Sequence, residues 1–261
     1  MSWSDLLLWG ATLAALCMFV LWLLHFPLRN ASIVDPAWAF VLASLGVGYA
    51  WFGNGYGPRS TLIGIMSGVW GLRLALHLVV RVAGHEEEGR YQELRRQWKT
   101  NVGAKFLAFF ELQAFTCILL SIPFLAAAVN GSAGIAPLEW LAVGLWIVAV
   151  AGEATADAQL AAFKSDPTSR GRTCRRGLWR YSRHPNYFFE WLIWVSFAIF
   201  ATSSPFGWLG WISPALILYF LLRVTGIPAT EEQAIRSRGD EYREYQRTTS
   251  AFVPWFPRTN P

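Results

Sequence analysis

The sequence predicts an all-α integral membrane protein with seven transmembrane helices, its N-terminus outside and its C-terminus in the cytoplasm. Three observations carry this expectation. Of the 261 residues, 54% are hydrophobic and only 15% charged, against about 25% charged in a soluble domain. The sparse charges leave long empty intervals, such as positions 112–138 between Glu111 and Glu139, and about 20 apolar residues in helical form cross a hydrocarbon core. The basic residues, finally, gather in alternate loops. This composition excludes a soluble dinucleotide-binding enzyme, a disulfide-stapled secreted domain and a disordered chain. The net charge of +5 in so apolar a chain marks cytoplasmic loops and anionic lipid, and no nucleic-acid recognition module is visible. Cys17, Cys117 and Cys174 are scattered singly and form no metal-binding pattern.

Uncharged apolar runs place helices near residues 5–25, 34–53, 60–82, 106–129, 138–161, 186–203 and 207–225. The first follows Met1-Ser2-Trp3-Ser4-Asp5, with no basic stretch ahead of it, and reads as a retained helix rather than a signal peptide. The second opens at Asp35-Pro36, where Asp35 is a candidate N-cap. The last two share the uncharged interval 191–222, which as one helix would reach about 48 Å against a core of about 30 Å. Ser203-Ser204-Pro205-Phe206-Gly207 lies at its middle as a turn signal and divides it.

Seven spans put eighteen Lys and Arg residues on one side, in the segments around Arg29, Arg90–Lys105, Lys164–Arg183 and Arg236–Arg258, and Arg59 alone on the other. Because cytoplasmic loops carry the excess of Lys and Arg, that distribution orients the chain, and six or eight spans would scramble it. The whole chain reads as a single transmembrane domain. Residues 163–185 form a basic cytoplasmic loop and residues 226–261 a cytoplasmic tail.

Ionisable groups within spans are costly and mark candidate function. Arg73, His77 and Arg81 recur every four residues and stack on one face of the third helix. Glu153 and Asp157 do the same on the fifth, and ionised carboxylates accept hydrogen bonds from ribose hydroxyls. The run Gly177-Leu178-Trp179-Arg180-Tyr181-Ser182-Arg183-His184-Pro185-Asn186-Tyr187 leads from the basic loop into the sixth helix, which then carries Glu190. Pro185 suits the first helical position, and a helix start flanked by Arg180, Arg183 and His184 is an anion site. Arg223 ends the seventh helix, and the tail adds Glu231-Glu232, Tyr242, Tyr245 and Arg247. Arginines for phosphates, carboxylates for ribose and aromatics for a flat ring describe a nucleotide-like cofactor site facing the cytosol, which a lipid substrate would meet from the bilayer.

The motif run with Glu190, followed by Gly226-Ile227-Pro228, Glu231-Glu232, Asp240-Glu241-Tyr242-Arg243-Glu244-Tyr245 and Thr248-Thr249-Ser250-Ala251-Phe252-Val253-Pro254, resembles the DUF1295 branch of the steroid 5α-reductase family. The resemblance covers roughly residues 30–257 and is densest after 150. It implies an NADPH-dependent membrane reductase of a conjugated carbon–carbon double bond in a steroid-like or other lipid, with no metal. By position, Arg81, Arg90, Tyr91, Asp157, Tyr181, Asn186, Glu190 and Arg223 resemble the family's cofactor contacts; Arg172, Arg183, His184 and Glu231 join them from the basic loop and the tail. The family's Gln-Glu pair in the second helix and Tyr in the third are missing, and Asp35 and His77 are the replacement candidates for catalysis.

Two other readings compete. A membrane methyltransferase of the isoprenylcysteine carboxyl type shares an Arg-His-Pro-x-Tyr run and a double Glu before a Tyr-rich tail, and it would bind S-adenosylmethionine. The Asn186–Glu190 spacing and the Thr-Ser-Ala-Phe-Val-Pro ending favour the reductase. The third reading is a lipid-binding protein without catalysis. No pair of broken helices in matching halves supports a transporter. A bacterial inner membrane is the expected location, or the endoplasmic reticulum in a eukaryote; composition leaves the oligomeric state open.

Overall fold

The computed structural model describes residues 1–258, and no strand occurs among them. Ten α-helices follow in order: α1 Trp3–Leu28, α2 Val34–Phe52, α3 Gly57–Val82, α4 Gly89–Gln97, α5 Val102–Ala128, α6 Pro137–Ser165, α7 Pro185–Thr202, α8 Ile212–Tyr219, α9 Ile227–Arg238 and α10 Asp240–Thr248. A π-helical segment, Phe220–Val224, continues α8. Six helical stretches are long and apolar enough to cross a membrane: those of α1, α2, α3, α5 and α6, and the stretch Gly207–Arg238. The expected sixth span is α7, whose 18 residues open with Pro-Asn-Tyr and hold Glu190; these polar groups dilute a short apolar run. The chain does turn at the expected place, with Phe206 in the left-handed region at φ 57. The Gly207–Arg238 stretch spans 32 residues, about 48 Å of helix at 1.5 Å per residue. Only its uncharged part up to Leu222 suits hydrocarbon, and Glu231, Glu232, Arg236 and Arg238 lie beyond it.

The described residues form two compact units. The first is Met1–Glu139 with Phe200–Gly210, and the second is Trp140–Ile199 with the residues from Trp211 onward. In the first unit α2 packs along α3, and α1 along α5. Small residues permit the α2–α3 approach, because a Cβ on Gly46 would come within 2.1 Å of the Ser67 hydroxyl and one on Gly71 within 2.7 Å of the Ala43 methyl. Close helix contact through small residues suits lipid, where apolar surface alone gives helices little reason to associate. Tyr49, Trp70, Phe106, Phe110 and Phe124 fill the interior, while Leu8, Leu16, Ile65, Leu72 and Leu76 point outward, as lipid-facing residues do.

The ends of these helices are secured by local chemistry. Ser2 and Asp5 form a capping box at α1. The N-cap of α2 is Ile33 rather than Asp35, which sits in the first turn. Arg59 lies inside α3, 2% exposed, and not in a loop. Its Nε donates to Glu139 at 2.5 Å, and its other nitrogens donate to the carbonyls of Asn130, Ser132 and Gly134. That knot closes the loop between α5 and α6.

Candidate functional site

The second unit holds the motif run. Gly177 starts a short 3-10 turn at φ +57, and a Cβ there would meet the Gln159 amide at 2.4 Å; only glycine fits both demands. The turn is fixed to α6 by Leu178 N–H donating to Gln159 Oε1 at 2.9 Å and by Trp179 Nε1 donating to the Ala156 carbonyl at 2.9 Å. The chain then enters α7 at Pro185, and the His184 carbonyl accepts the first helical bond from Phe188 at 3.1 Å. Ser182 steers that entry, accepting from His184 N–H at 3.1 Å and donating to the Phe252 carbonyl at 2.8 Å.

Asn186 and Glu190 are four residues apart and share a face of α7. The Asn186 side-chain amide donates to Asp157 Oδ1 at 3.4 Å, while its Oδ1 is buried without a hydrogen-bond partner. A buried acceptor left unpaired costs about 1–3 kcal/mol, so this oxygen is the natural place for a ligand N–H or O–H. Glu190 accepts from Trp194 Nε1 at 2.9 Å. Arg172, Arg180 and Arg223 are exposed, and Arg223 rides on the π-helical segment, a distortion that recurs at functional sites. Asp157, Asn186 and Glu190 offer acceptors for hydroxyls and an open acceptor for an amide, and Arg172, Arg180 and Arg223 are exposed cations of the same unit; the chemistry of these groups suits a nucleotide.

The other predicted residues of this unit have a different local role. Arg183 Nε donates to Glu231 Oε1 at 2.6 Å, and its Nη1 donates to the carbonyls of Gln246 at 3.0 Å and Thr249 at 2.5 Å. His184 stacks on Tyr187, with ring centroids 5.2 Å apart, and its Nε2 lies 3.2 Å from the same Glu231 oxygen. Arg183, His184 and Glu231 therefore engage one another and fasten the tail to the start of α7, instead of standing open to an anion. Burial raises the Glu231 carboxyl, but the hydrogen bonds from His184, Arg183 and Gln246 outweigh it and bring it down to about 2. Tyr242 and Tyr245 pack with Ala234 into a small apolar cluster, and burial lifts both phenols well above their usual range. Tyr245 accordingly remains a donor, to the carbonyls of Trp179 and Ser182. Tyr181 is half-buried, its carbonyl accepting Trp255 N–H at 2.8 Å.

In the first unit, Asp35 accepts from the Arg90 guanidinium and, at 2.7 Å, from the Tyr91 hydroxyl, which ties α2 to α4. Both carboxylate oxygens of Asp35 are thus engaged as acceptors. Tyr91 is fully buried, and burial followed by the Asp35 charge raises its phenol strongly. Arg90 also covers the Tyr91 ring at 4.7 Å. Arg81 pairs with Glu88 at 2.8 Å, and His77 is exposed on α3. Among the described residues no cluster of three metal-ligating side chains occurs.

Sequence reasoning missed several residues that build this architecture. Glu241 accepts from Thr173 N–H at 3.0 Å, and Glu87 accepts from Ala31 N–H at 2.7 Å and from Arg95. Gln246 donates to Glu231 at 2.7 Å, and Gln159 receives the loop as described above. The Tyr242–Tyr245 spacing of three was the available signal for a packed tail helix; neutral glutamines carry none.

A protein of Schizosaccharomyces pombe described as uncharacterized is 26% identical over 277 residues, an alignment covering 94% of this chain and 78% of that protein. No solved structure matches. The family described as a protein of unknown function (DUF1295), a relative of the steroid 5α-reductases, matches residues 21–249, nearly the whole chain, and this helical membrane protein belongs to that family.

Proposed function

We propose that the chain is an NADPH-dependent reductase of a conjugated carbon–carbon double bond in a steroid-like or other lipid enone. The observation that carries this reading is the buried, unpartnered Asn186 Oδ1, beside Asp157 and one helical turn from Glu190, in a chain whose family is related to the steroid 5α-reductases. In this reading the chain crosses the membrane seven times, α7 included, with its N-terminus outside and the motif run at the cytosolic side. A bacterial inner membrane is the proposed location.

Asn186 offers its free oxygen to a cofactor amide, Asp157 and Glu190 accept from ribose hydroxyls, and Arg172 and Arg223 meet phosphates. When bound, NADPH supplies a hydride to the β-carbon of an enone. A proton donor must then hold the carbonyl oxygen as it gains charge. Asp35 and His77 are the proposed candidates for that donor; Asp35 would first have to release Arg90 and Tyr91, and His77 is exposed on α3. Arg183, His184 and Glu231 act one step back, setting the position of Asn186 through the start of α7.

Isothermal titration of the detergent-purified full chain with NADPH, NADH and S-adenosylmethionine tests this. NADPH binding weakened about tenfold in Asn186→Ala, the loss of one buried hydrogen bond, and also weakened in Glu190→Ala, is the expected result. It would be followed by NADPH oxidation on adding enone lipids. Binding of S-adenosylmethionine with none of NADPH would overturn the reading.

A further inference from the structure

The described residues after α10, 249–258, are held by hydrogen bonds. Arg183 N–H donates to the Ser250 carbonyl at 2.8 Å, Trp255 N–H to the Tyr181 carbonyl at 2.8 Å and Arg258 N–H to the Thr248 carbonyl at 2.8 Å. Ser182 Oγ adds a fourth bond, to the Phe252 carbonyl at 2.8 Å. Three of these bonds pin the segment to Tyr181, Ser182 and Arg183, just ahead of α7, and the bond from Arg258 ties it back to the end of α10. Yet it turns its apolar side chains outward: Val253 is 52% exposed, Trp255 70% and Phe256 75%. Pro254, between Val253 and Trp255, and Pro257, after Phe256, stiffen the backbone. An ordered segment that holds a Val, a Trp and a Phe out of the fold is a contact surface and not a frayed end.

The same residues border a cavity of about 490 Å³, whose lining includes Arg247, Arg258 and Arg183 together with Trp255 and Phe256. Arg183 is occupied by Glu231 and two carbonyls, whereas Arg247 and Arg258 are exposed. Two cations beside a projecting Trp–Phe pair, at the start of an apolar helix, match the boundary of a bilayer: phosphates at one level, acyl chains just below, and aromatic rings favoured between. A soluble nucleotide in the cavity would satisfy the arginines but leave Val253, Trp255 and Phe256 in water.

We propose that residues 246–258 form a headgroup site for an anionic phospholipid. Arg247 and Arg258 grip the phosphate, and Val253, Trp255 and Phe256 enter the interfacial layer. The site needs no cofactor, and it rests on the proposed reading of α7 as a membrane span.

Native mass spectrometry of the full chain in detergent, titrated with phosphatidylglycerol or with phosphatidylcholine of the same acyl chains, tests it. The wild type should retain phosphatidylglycerol preferentially. Arg247→Gln and Arg258→Gln should each lower that preference about fivefold, while Arg247→Lys keeps most of it. Trp255→Ala/Phe256→Ala should weaken retention of both lipids. An undiminished preference in the double Gln variant, with its melting midpoint unchanged, would overturn the proposal. So would equally strong occupancy by glycerol 3-phosphate, which has no acyl chain, or displacement of the lipid by NADPH.

Discussion

Two arginine–glutamate knots hold this protein's loops, and they differ in what surrounds them. Arg59 and Glu139 are 3% and 0% exposed at the side chain, and the remaining guanidinium donors go to three backbone carbonyls. Nothing in that cluster is left for a ligand. Arg183 and Glu231 are 10% and 13% exposed and share their oxygen with His184. Arg183 borders a cavity, and it lies three residues before Asn186, whose side-chain oxygen is buried without a hydrogen-bond partner. The same pair of residue types thus makes a sealed structural tie in one unit and an adjustable one in the other. Saturation of the surrounding hydrogen bonds, more than the ion pair itself, separates a structural tie from a group beside a binding site.

The comparison is broken most directly at the sealed knot. Glu139→Ala should leave a buried, unpaired guanidinium and cost about 3–5 kcal/mol, seen as a large fall in melting midpoint in detergent. Glu231→Gln should cost less, about 1–3 kcal/mol, because water reaches that pair. It should release the tail to limited proteolysis between residues 230 and 258 while the rest of the chain stays folded. If Glu231→Gln proved the more damaging of the two, the distinction between the knots would fail.

Acid sharpens the contrast. The Glu231 carboxyl is lowered from 4.5 to about 2 in the folded chain, so its contribution is complete above about pH 4.5 and drains away as the pH falls toward 2. Hydrogen exchange in α9 and α10 should quicken across that window in the wild type, and Glu231→Gln should show no such dependence. The smallest effect belongs to exposed His77, where His77→Gln should change stability by no more than about 0.5 kcal/mol. A selective loss of turnover with NADPH binding intact would then mark His77 as the proton donor.

Much of the fold was legible in the sequence. The long apolar helices begin and end within a few residues of the uncharged runs, and the turn at Ser203–Gly207 lies where its composition places it, whereas the charged helices α4, α9 and α10 lie outside those runs. The partition of the site was less legible. Asp157 follows from its helical spacing with Glu153 along α6, and Asn186 and Glu190 follow from the resemblance of the motif run to the reductase family. The engagement of Arg183, His184 and Glu231 with each other does not, and neither does that of Asp35 with Tyr91.

What the sequence determined by itself was therefore the class of protein and the position of its helices. A hydrocarbon layer demands a local, contiguous property, some 20 apolar residues, and local properties are written in order along the chain. What only the tertiary structure decided was the partner of each charge. Asp35 meets Arg90 across 55 positions, Arg183 meets Glu231 across 48, and Arg59 meets Glu139 across 80. Helical periodicity relates residues three or four apart; over these distances a charge finds its counterpart through packing alone, and packing sets whether it ties down a loop or remains for a ligand.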